Sequence, residues 1–527
     1  MAGVTTILVK DGWLVFKPED PIAVQSVLPR AHTINLHGQE MTAIAHRLDV
    51  VQVLRNIGIN APSPVNYGWT YPGKYTPYEH QKDTTGFLTI HRRGFVLNEM
   101  GTMKTCSAIW AAEYLMEKGL VNRILVVAPR SCLHKVWADE IFGTTMHRNV
   151  AVLQGTRAKR RELFASSAEY LIINHDGLGI ISDMVVKDKS VNLIIVDECA
   201  AFRNGTTEKY KHLKSCLRPD TRLWMMSGSP CPNAPTDAWA QARLVRPDNV
   251  PPYFTSFKRA TMDKVSTFKW VPRSDSDQIV HDALQPAVRY AKKDCTNLPP
   301  VTYQNRECDL TAEQVKLFKA MQKHLHTEHE GGTITAANAA VKMIKLLQIC
   351  CGVVYDNDGV ARVSAATPRL QALYEIIEEC ERKVILWVPF KSVLYHLVAN
   401  LQHKYYPEFA IGVSGDTTDN QRREIFSAFQ DDRNPLRVLV AHPKTAAHGL
   451  TLVAANTSIW YSPFFSAELY MQANERINRP GQRHEMSVIH LGATALEWGV
   501  YNVVKTKNGR QNKILELYKN EIIDISA

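Results

Sequence analysis

The ten cysteines of this 527-residue chain include no CxxC pair. Cys350 and Cys351 are adjacent, a spacing that suits neither a zinc knuckle nor an easy disulfide. Zinc is therefore not expected, and scattered single thiols fit a reducing compartment. The opening stretch, MAGVTTILVKDGW, lacks the basic start and apolar core of a secretory signal. The longest uncharged run, 445–467, is broken by Asn456, Ser458, Ser462 and Pro463. No membrane span or membrane partner is expected from it. Short-period repeats and low-complexity tracts are also missing. What remains is the composition of a soluble globular protein, 45% hydrophobic and 22% charged. Its length suggests two to four domains. The net charge of +10, from 62 Lys+Arg against 52 Asp+Glu, permits an acidic polymer such as nucleic acid as partner. It equally suits a mildly basic enzyme.

The chain changes rhythm along its length. Residues 1–75 read as a small accessory region. TTILVKDGWLVFK forms two strands around Asp11-Gly12, 42–58 has a helical period, and NAPSPVNYGWTYPGKYTP is a linker. Over 76–245, short β-branched runs (95–97, 124–128, 170–173, 193–196, 223–226) alternate with amphipathic segments. Such runs fit strands buried on both faces, and helices between them imply right-handed crossovers and a parallel sheet. Catalytic groups belong at the carboxyl ends of those strands. Residues 246–365 lose the rhythm and read as a bridge, with helices near 311–326 and 336–350. The rhythm returns over 366–500, with runs at 384–388, 411–413, 438–440, 458–461 and 488–491, and 501–527 is a charged helical tail. The expected fold class is α/β.

NEMGTMKTCS, 98–107, follows an apolar run and opens an apolar-periodic segment. Strand, glycine turn, Lys-Thr, helix is the order of a phosphate-binding loop, in which turn amides and the positive helix end face an anion. Lys104 then reaches the β/γ-phosphates and the Thr105 hydroxyl holds Mg²⁺. Glu99, Met100, Gly101, Thr102, Met103 and Cys106 complete the loop. Taken alone, the stretch is equally well an ordinary strand-to-helix turn. LIIVDECA, 193–200, is an apolar strand ending in two acids. Asp197 could ligate Mg²⁺ and Glu198 polarise the attacking water. MMSGSP, 225–230, ends the next strand with hydroxyls able to couple nucleotide state to strand position. QANERINRPGQ, 472–482, places Arg476 and Arg479 three apart, on one face of a helix. Two such arginines can neutralise a transferring phosphoryl group, although a solvated charged face is the commoner fate of the pair.

In this order the segments resemble the superfamily-two helicases. More closely they resemble the Snf-type branch, ATP-driven duplex-DNA translocases that include chromatin remodellers and annealing helicases. The resemblance spans about 75–500. PYEHQ resembles the adenine-reading glutamine motif, with Gln81 the match; NEMGTMKT resembles DEMGLGKT; VDECAAFRN resembles DEAHRLKN. VVAPRSCLHKVWADE resembles the first DNA-contact motif, including the Trp137 and Glu140 positions. MSGSPCPNAPTDAWA resembles LTGTPLQNNLxELW. VSGDTTDNQRREIFSAFQ, VLVAHPKTAAHGLTLVAAN and QANERINRPGQ follow the second-lobe series, and 298–314 resembles the segment between lobes.

The resemblance implies two RecA-like parallel-sheet lobes with helical insertions and a small N-terminal region. It implies ATP and Mg²⁺ as cofactors, with ATP held between the lobes. Lys104 would bind phosphate, Thr105 and Asp197 the metal, and Glu198 the water, while Arg476 and Arg479 close from the second lobe. Double-stranded or branched DNA is the implied partner. Its phosphates would be gripped by Arg130, Ser131, Lys391, Lys444, Gly449 and Thr451. A bacterial or phage-infected cytoplasm is expected, because no nuclease, chromatin-reader or zinc module is visible, and a monomer is expected because relatives of this architecture generally work as monomers. Two alternatives stay open: a strand-separating DNA or RNA helicase, and a catalytically weak DNA-binding scaffold. The second draws on Met103, which stands where the family pattern has glycine. Cys199-Ala200 replace its Ala-His, Asn478 a histidine, and Phe465-Ser466 a frequent Trp-Asn.

Overall fold

A computed structural model of the chain describes residues 4–266, 269–295, 298–331, 336–355, 361–363, 367–446 and 451–505. The backbone divides into two compact units, Met1–Cys295 and Thr296–Ala527. The division falls inside 246–365, so the units share that stretch.

The first unit opens with an antiparallel sheet of β1 (Val4–Lys10), β2 (Trp13–Pro18), β3 (His32–Leu36) and β4 (Gln39–Ala45), in the order β1-β2-β4-β3. Helix α1 (Pro21–Val27) joins β2 to β3, and α2 (Leu48–Asn56) follows β4. Asp11-Gly12 takes φ values of 47° and 79°, and His37-Gly38 values of 49° and 80°. Left-handed geometry at both turn residues matches the twist of a tight hairpin. The second hairpin corrects the helical reading of 42–58. Residues 42–45 belong to β4, and the helix starts only at Leu48. Pairing on both sides, by β2 and β3, overrides the helical period, and Ile44 joins Leu14, Phe16, Val51 and Leu54 in one core.

Helix α3 (Glu79–Ile90) leads into the larger sheet of this unit. Its strands are β5 (Arg93–Val96), β6 (Arg123–Ala128), β7 (Val150–Val152), β8 (Tyr170–Asn174), β9 (Val191–Asp197) and β10 (Arg222–Met226). They are all parallel, in the order β5-β10-β9-β6-β8-β7. Successive residues of β9 serve opposite faces: Leu193 and Ile195 enter one core, Ile194 and Val196 the other. That double burial is why the strand reads as an unbroken apolar run. Helix α4 (Lys104–Glu117) follows β5. After a hairpin of β11 (Met262–Lys264) and β12 (Trp270–Pro272), the two-residue β13 (Ala287–Val288) joins the sheet beside β5.

The second unit is also built on a parallel sheet. Its strands are β14 (Val301–Glu307), β17 (Lys383–Trp387), β18 (Ala410–Val413), β19 (Val438–Ala441), β20 (Ala455–Trp460) and β21 (Met486–Gly492), in the order β14-β21-β20-β17-β19-β18. The small pair β15 (Val353–Tyr355) and β16 (Ala361–Val363) is antiparallel. Helices Ala312–Gly331 and Ala336–Cys350 occupy the two positions expected from sequence. A fully buried ion pair fastens helix Thr367–Glu379 to helix Ala495–Lys505. Arg369 Nη2 donates to both Glu497 oxygens at 2.7 and 2.8 Å, and Nη1 to the Tyr461 carbonyl at 2.6 Å. Removing either partner would strand a charge in the core, at a cost of about 3–5 kcal/mol. Of the expected tail, 506–527 lies outside the described residues, as does Gly449. Among the described residues, no helix is long and apolar enough to cross a membrane.

Candidate functional site

The expected phosphate-loop residues gather at the carboxyl end of the first unit's parallel sheet. Asn98, just past β5, is 1% exposed. Its Nδ2 donates to Thr84 Oγ1 at 2.9 Å, and its Oδ1 accepts from the Tyr290 N–H at 3.0 Å. The chain then reverses through Gly101 (φ 82°) and Met103 (φ 57°, ψ 43°) into α4. Met103 thus holds a left-handed conformation without being glycine, at a cost of about 1–2 kcal/mol. No side chain caps α4, which leaves its amino end available to an anion. Lys104 Nζ folds back on its own loop, donating to the Asn98 and Glu99 carbonyls at 2.9 and 3.1 Å. Thr102 Oγ1 donates to the same Glu99 carbonyl at 2.8 Å. Thr105 and Cys106 lie in the first turn of α4, and burial pushes the Cys106 thiol up.

Neighbouring segments brace this loop. Gln81 is 2% exposed; its Oε1 accepts from the Tyr78 N–H at 3.0 Å and its Nε2 donates to the Met103 carbonyl at 3.4 Å. It therefore ties the start of α3 to the left-handed residue. The segment after β13 braces the other side: the Glu99 N–H donates to the Tyr290 carbonyl, and Glu99 Oε2 accepts from the Lys292 N–H at 3.1 Å. Nothing in the sequence marked 286–292 as a clamp, since two strand residues carry no period. Gly228 explains the glycine in MMSGSP. A Cβ there would sit 3.0 Å from Met100 Cγ and 3.2 Å from Met100 N, so any other residue would push this turn and the loop apart by a few tenths of an ångström.

Asp197 and Glu198 lie at the end of β9, two strands from β5. Asp197 Oδ1 accepts from the Glu198 N–H at 3.1 Å, and Oδ2 from Trp137 Nε1 at 3.0 Å. His175 Nε2 donates to the Asp197 carbonyl at 2.8 Å, and burial holds this imidazole's pKa below its ordinary value. Glu198 Oε2 accepts from Ser227 Oγ at 3.1 Å, and the Ser227 N–H donates to the Val96 carbonyl at 3.1 Å. One chain of hydrogen bonds thus joins the ends of β5, β10 and β9. Among the described residues four non-glycines have positive φ: two in the N-terminal hairpins, the others Met103 and Glu198 (φ 52°). Strain of this kind collects where a site over-determines its backbone. The donor set suits a magnesium nucleotide: hard carboxylate and hydroxyl oxygens, a lysine and an uncapped helix start.

The other expected residues divide by location. Arg130 and Ser131 are exposed in the turn after β6. In the second unit, Lys391 opens helix Lys391–Lys404 after β17 and pairs with Asp416 after β18. Lys444 is exposed in helix Pro443–Ala446, after β19. These three turns follow strand carboxyl ends. Arg476 and Arg479 do not, and the expectation that they share one face of a helix is corrected. Helix Ala467–Asn474 ends before both arginines, because the chain turns there toward Pro480-Gly481, where Gly481 has φ 101°. The Leu452 N–H donates to the Arg476 carbonyl at 2.9 Å, which places the pair beside the entry to β20 rather than at a strand's carboxyl end. Arg476 Nε donates to the Gln472 carbonyl at 2.8 Å; Arg479 Nε donates to that of Glu475, and its Nη1 to Thr451 Oγ1, both at 3.3 Å.

Comparison with known proteins gives the family. The model of the SNF2-related domain matches residues 48–353, and that of the helicase conserved C-terminal domain matches 368–481. Protein p41 of Acyrthosiphon pisum secondary endosymbiont phage 1 is 26% identical over 475 residues, covering 85% of this chain and 99% of the relative. The uncharacterized ATP-dependent helicase MG018 of Mycoplasma genitalium is 25% identical over 82% of this chain. Nuclear protein STH1/NPS1 of Saccharomyces cerevisiae is 23% identical over 77%. The chain spans only 40% and 32% of the length of those two longer relatives. A solved Sulfolobus solfataricus SWI2/SNF2 ATPase core in complex with dsDNA is 20% identical, covering 86% of this chain and 97% of that one, with a TM-score of 0.41. On the two matched segments, the chain belongs to the SNF2-related family and is a helicase-like ATPase core.

Proposed function

We propose that this ATPase is a motor on double-stranded or branched DNA. The observation that carries the reading is the assembly of Lys104, Asp197, Glu198 and Ser227 at the carboxyl ends of neighbouring strands, with Arg130 and Ser131 exposed on the same sheet end. Lys104 leaves the carbonyls of Asn98 and Glu99 for the phosphates of ATP, beside the amides of the loop. Thr105 and Asp197 would hold Mg²⁺, which would offset the charge of the phosphate oxygens. Glu198 orients the attacking water and accepts its proton, and Ser227 holds the Glu198 carboxylate. Arg476 and Arg479 supply positive charge to the transferring phosphoryl group in the closed state. ATP favours that state to the extent that it binds it better, so binding and hydrolysis alternately bring the lobes together and release them.

The grip on DNA falls on phosphates, because a motor that moves along any sequence has no use for base-specific contacts. Arg130 and Ser131 serve the first lobe, and Lys391, Lys444, Gly449 and Thr451 the second. Turnover should rise on adding duplex DNA, and the rise should fall steeply with salt. Equal phosphate release with and without DNA, across forked, nicked, blunt and single-stranded substrates, would reject the motor. The left-handed Met103 favours a second reading, a catalytically weak DNA-binding scaffold. The same assay decides it, since a scaffold binds DNA without releasing phosphate.

A further inference from the structure

We infer that Trp137 is a positioning residue for the ATPase reaction, its indole N–H setting the carboxylate of Asp197. The inference rests on the proposed role of Asp197 in holding the metal. Trp137 is fully buried, packed in the core that also holds Leu133 and Ile141. A buried indole N–H must find an acceptor, and this one finds a carboxylate: Nε1 to Asp197 Oδ2, 3.0 Å. The other oxygen, Oδ1, is taken by the Glu198 N–H at 3.1 Å. Each oxygen therefore has one fixed donor, and the carboxylate cannot rotate without losing both. A hydrogen bond to a ligating carboxylate is the kind of outer partner that orients a metal ligand.

The element that carries Trp137 points the same way. Residues Leu133–Ala138 form a π-helical turn, set between the short turn Arg130–Cys132 and helix Asp139–Thr144. Single π-turns are rare and concentrate at functional sites. The extra residue inserted by such a turn resets the register of its neighbours, here both Trp137 and Glu140. Thr144 Oγ1, at the end of helix Asp139–Thr144, lies 3.9 Å from Cys106 Sγ in the first turn of α4. The stretch 133–144 therefore touches the end of β9 through Trp137 and the first turn of α4 through Thr144. It starts directly behind Arg130 and Ser131.

The experiment compares wild type, Trp137→Phe, and a protein carrying the benzothienyl analogue of tryptophan at 137. The analogue keeps the bicyclic shape and puts sulfur where the N–H stood, so it folds even if the phenylalanine variant does not. Binding of fluorescent ATP is titrated with Mg²⁺ and repeated in EDTA, beside DNA-stimulated turnover and thermal melting. Loss of the N–H should weaken the Mg²⁺ dependence of binding and turnover by about 10–100-fold. Binding in EDTA should stay unchanged, as should the melting of the analogue protein. In an Asp197→Asn background the substitution at 137 should add little, because its target is gone. Unchanged Mg²⁺ dependence in both proteins that lack the N–H, beside a wild type that binds and hydrolyses Mg-ATP, overturns the inference alone. A wild type that does neither overturns the proposed function, and the inference with it.

Discussion

Both units are parallel α/β sheets, yet they place their charged groups differently. In the first, Lys104, Asp197, Glu198, Ser227, Arg130 and Ser131 all follow strand carboxyl ends. In the second, Lys391 and Lys444 follow carboxyl ends, while Arg476 and Arg479 lie beside the entry to β20. The first sheet thus concentrates one site on one edge, where aligned helix starts favour an anion. The second separates its lysines from its arginines. Both units still hold their key cations on backbone carbonyls, Lys104 on its loop and each arginine on the residue four before it. Phosphate oxygens can replace those carbonyls without leaving a charge unpaired.

If the arginine pair is the second unit's contribution to chemistry, Arg479→Ala should lower kcat by about 10³-fold or more with little change in nucleotide affinity. Single-turnover hydrolysis beside equilibrium binding separates the two quantities, and an unchanged kcat would break the division of labour. On the first unit, Glu198→Gln should cost about 10²–10⁴-fold in kcat while DNA binding persists. Lys104→Ala should lose nucleotide affinity as well, read in the same two assays.

Acid should destabilise both units. Burial pushes His490 of the second unit down to about 3 and His91 of the first to about 4, both from 6.5. A lowered histidine pKa means the folded form binds fewer protons than the unfolded chain. Stability is therefore full above 6.5 and falls as the pH drops, by up to about 1.4 kcal/mol per pH unit for each group. The loss from His91 ends near pH 4 and that from His490 near pH 3. His490 donates from Nδ1 to the Gln304 carbonyl and accepts at Nε2 from Tyr470 Oη, so protonation costs it an acceptor. Urea unfolding at pH 7 and pH 5 should show a smaller difference in His490→Gln than in wild type. Smaller still, Ser227→Ala should cost turnover about tenfold, one hydrogen bond to a charged group. Met103→Gly should relieve about 1–2 kcal/mol of backbone strain, offset by any packing the methionine loses; thermal melting reads the balance.

Much of the fold was legible. The ten expected strand runs all fall on strands, because a strand buried on both faces must be apolar at every position. The strands that escaped notice are short or polar at the sheet margins. β7 has three residues, β13 two, and β14 reads VTYQNRE with its middle exposed to solvent. Such strands are held by neighbours rather than by their own pattern. β4 went unread for a related reason, since its apolar residues also fit a helical period and only flanking partners decide between the two. The placement of the Lys104 loop and of the Asp197-Glu198 pair at strand ends was legible because strand, turn and helix start follow one another in sequence. The end of the arginine helix at Asn474 was not, since a turn at Asn478–Gly481 competes with a good helical spacing.

What the sequence determined by itself was the order of its chemistry: loop lysine, acid pair, hydroxyl turn, arginine pair, on two runs of alternating strands and helices. Residue type and near-neighbour spacing are sufficient for that. Tertiary structure alone decided that Met103 is left-handed, that Trp137 answers to Asp197, that Ser227 answers to Glu198, and that 286–292 clamps the loop. Those facts join residues between 29 and 193 positions apart or depend on backbone torsion. A one-dimensional pattern records neither.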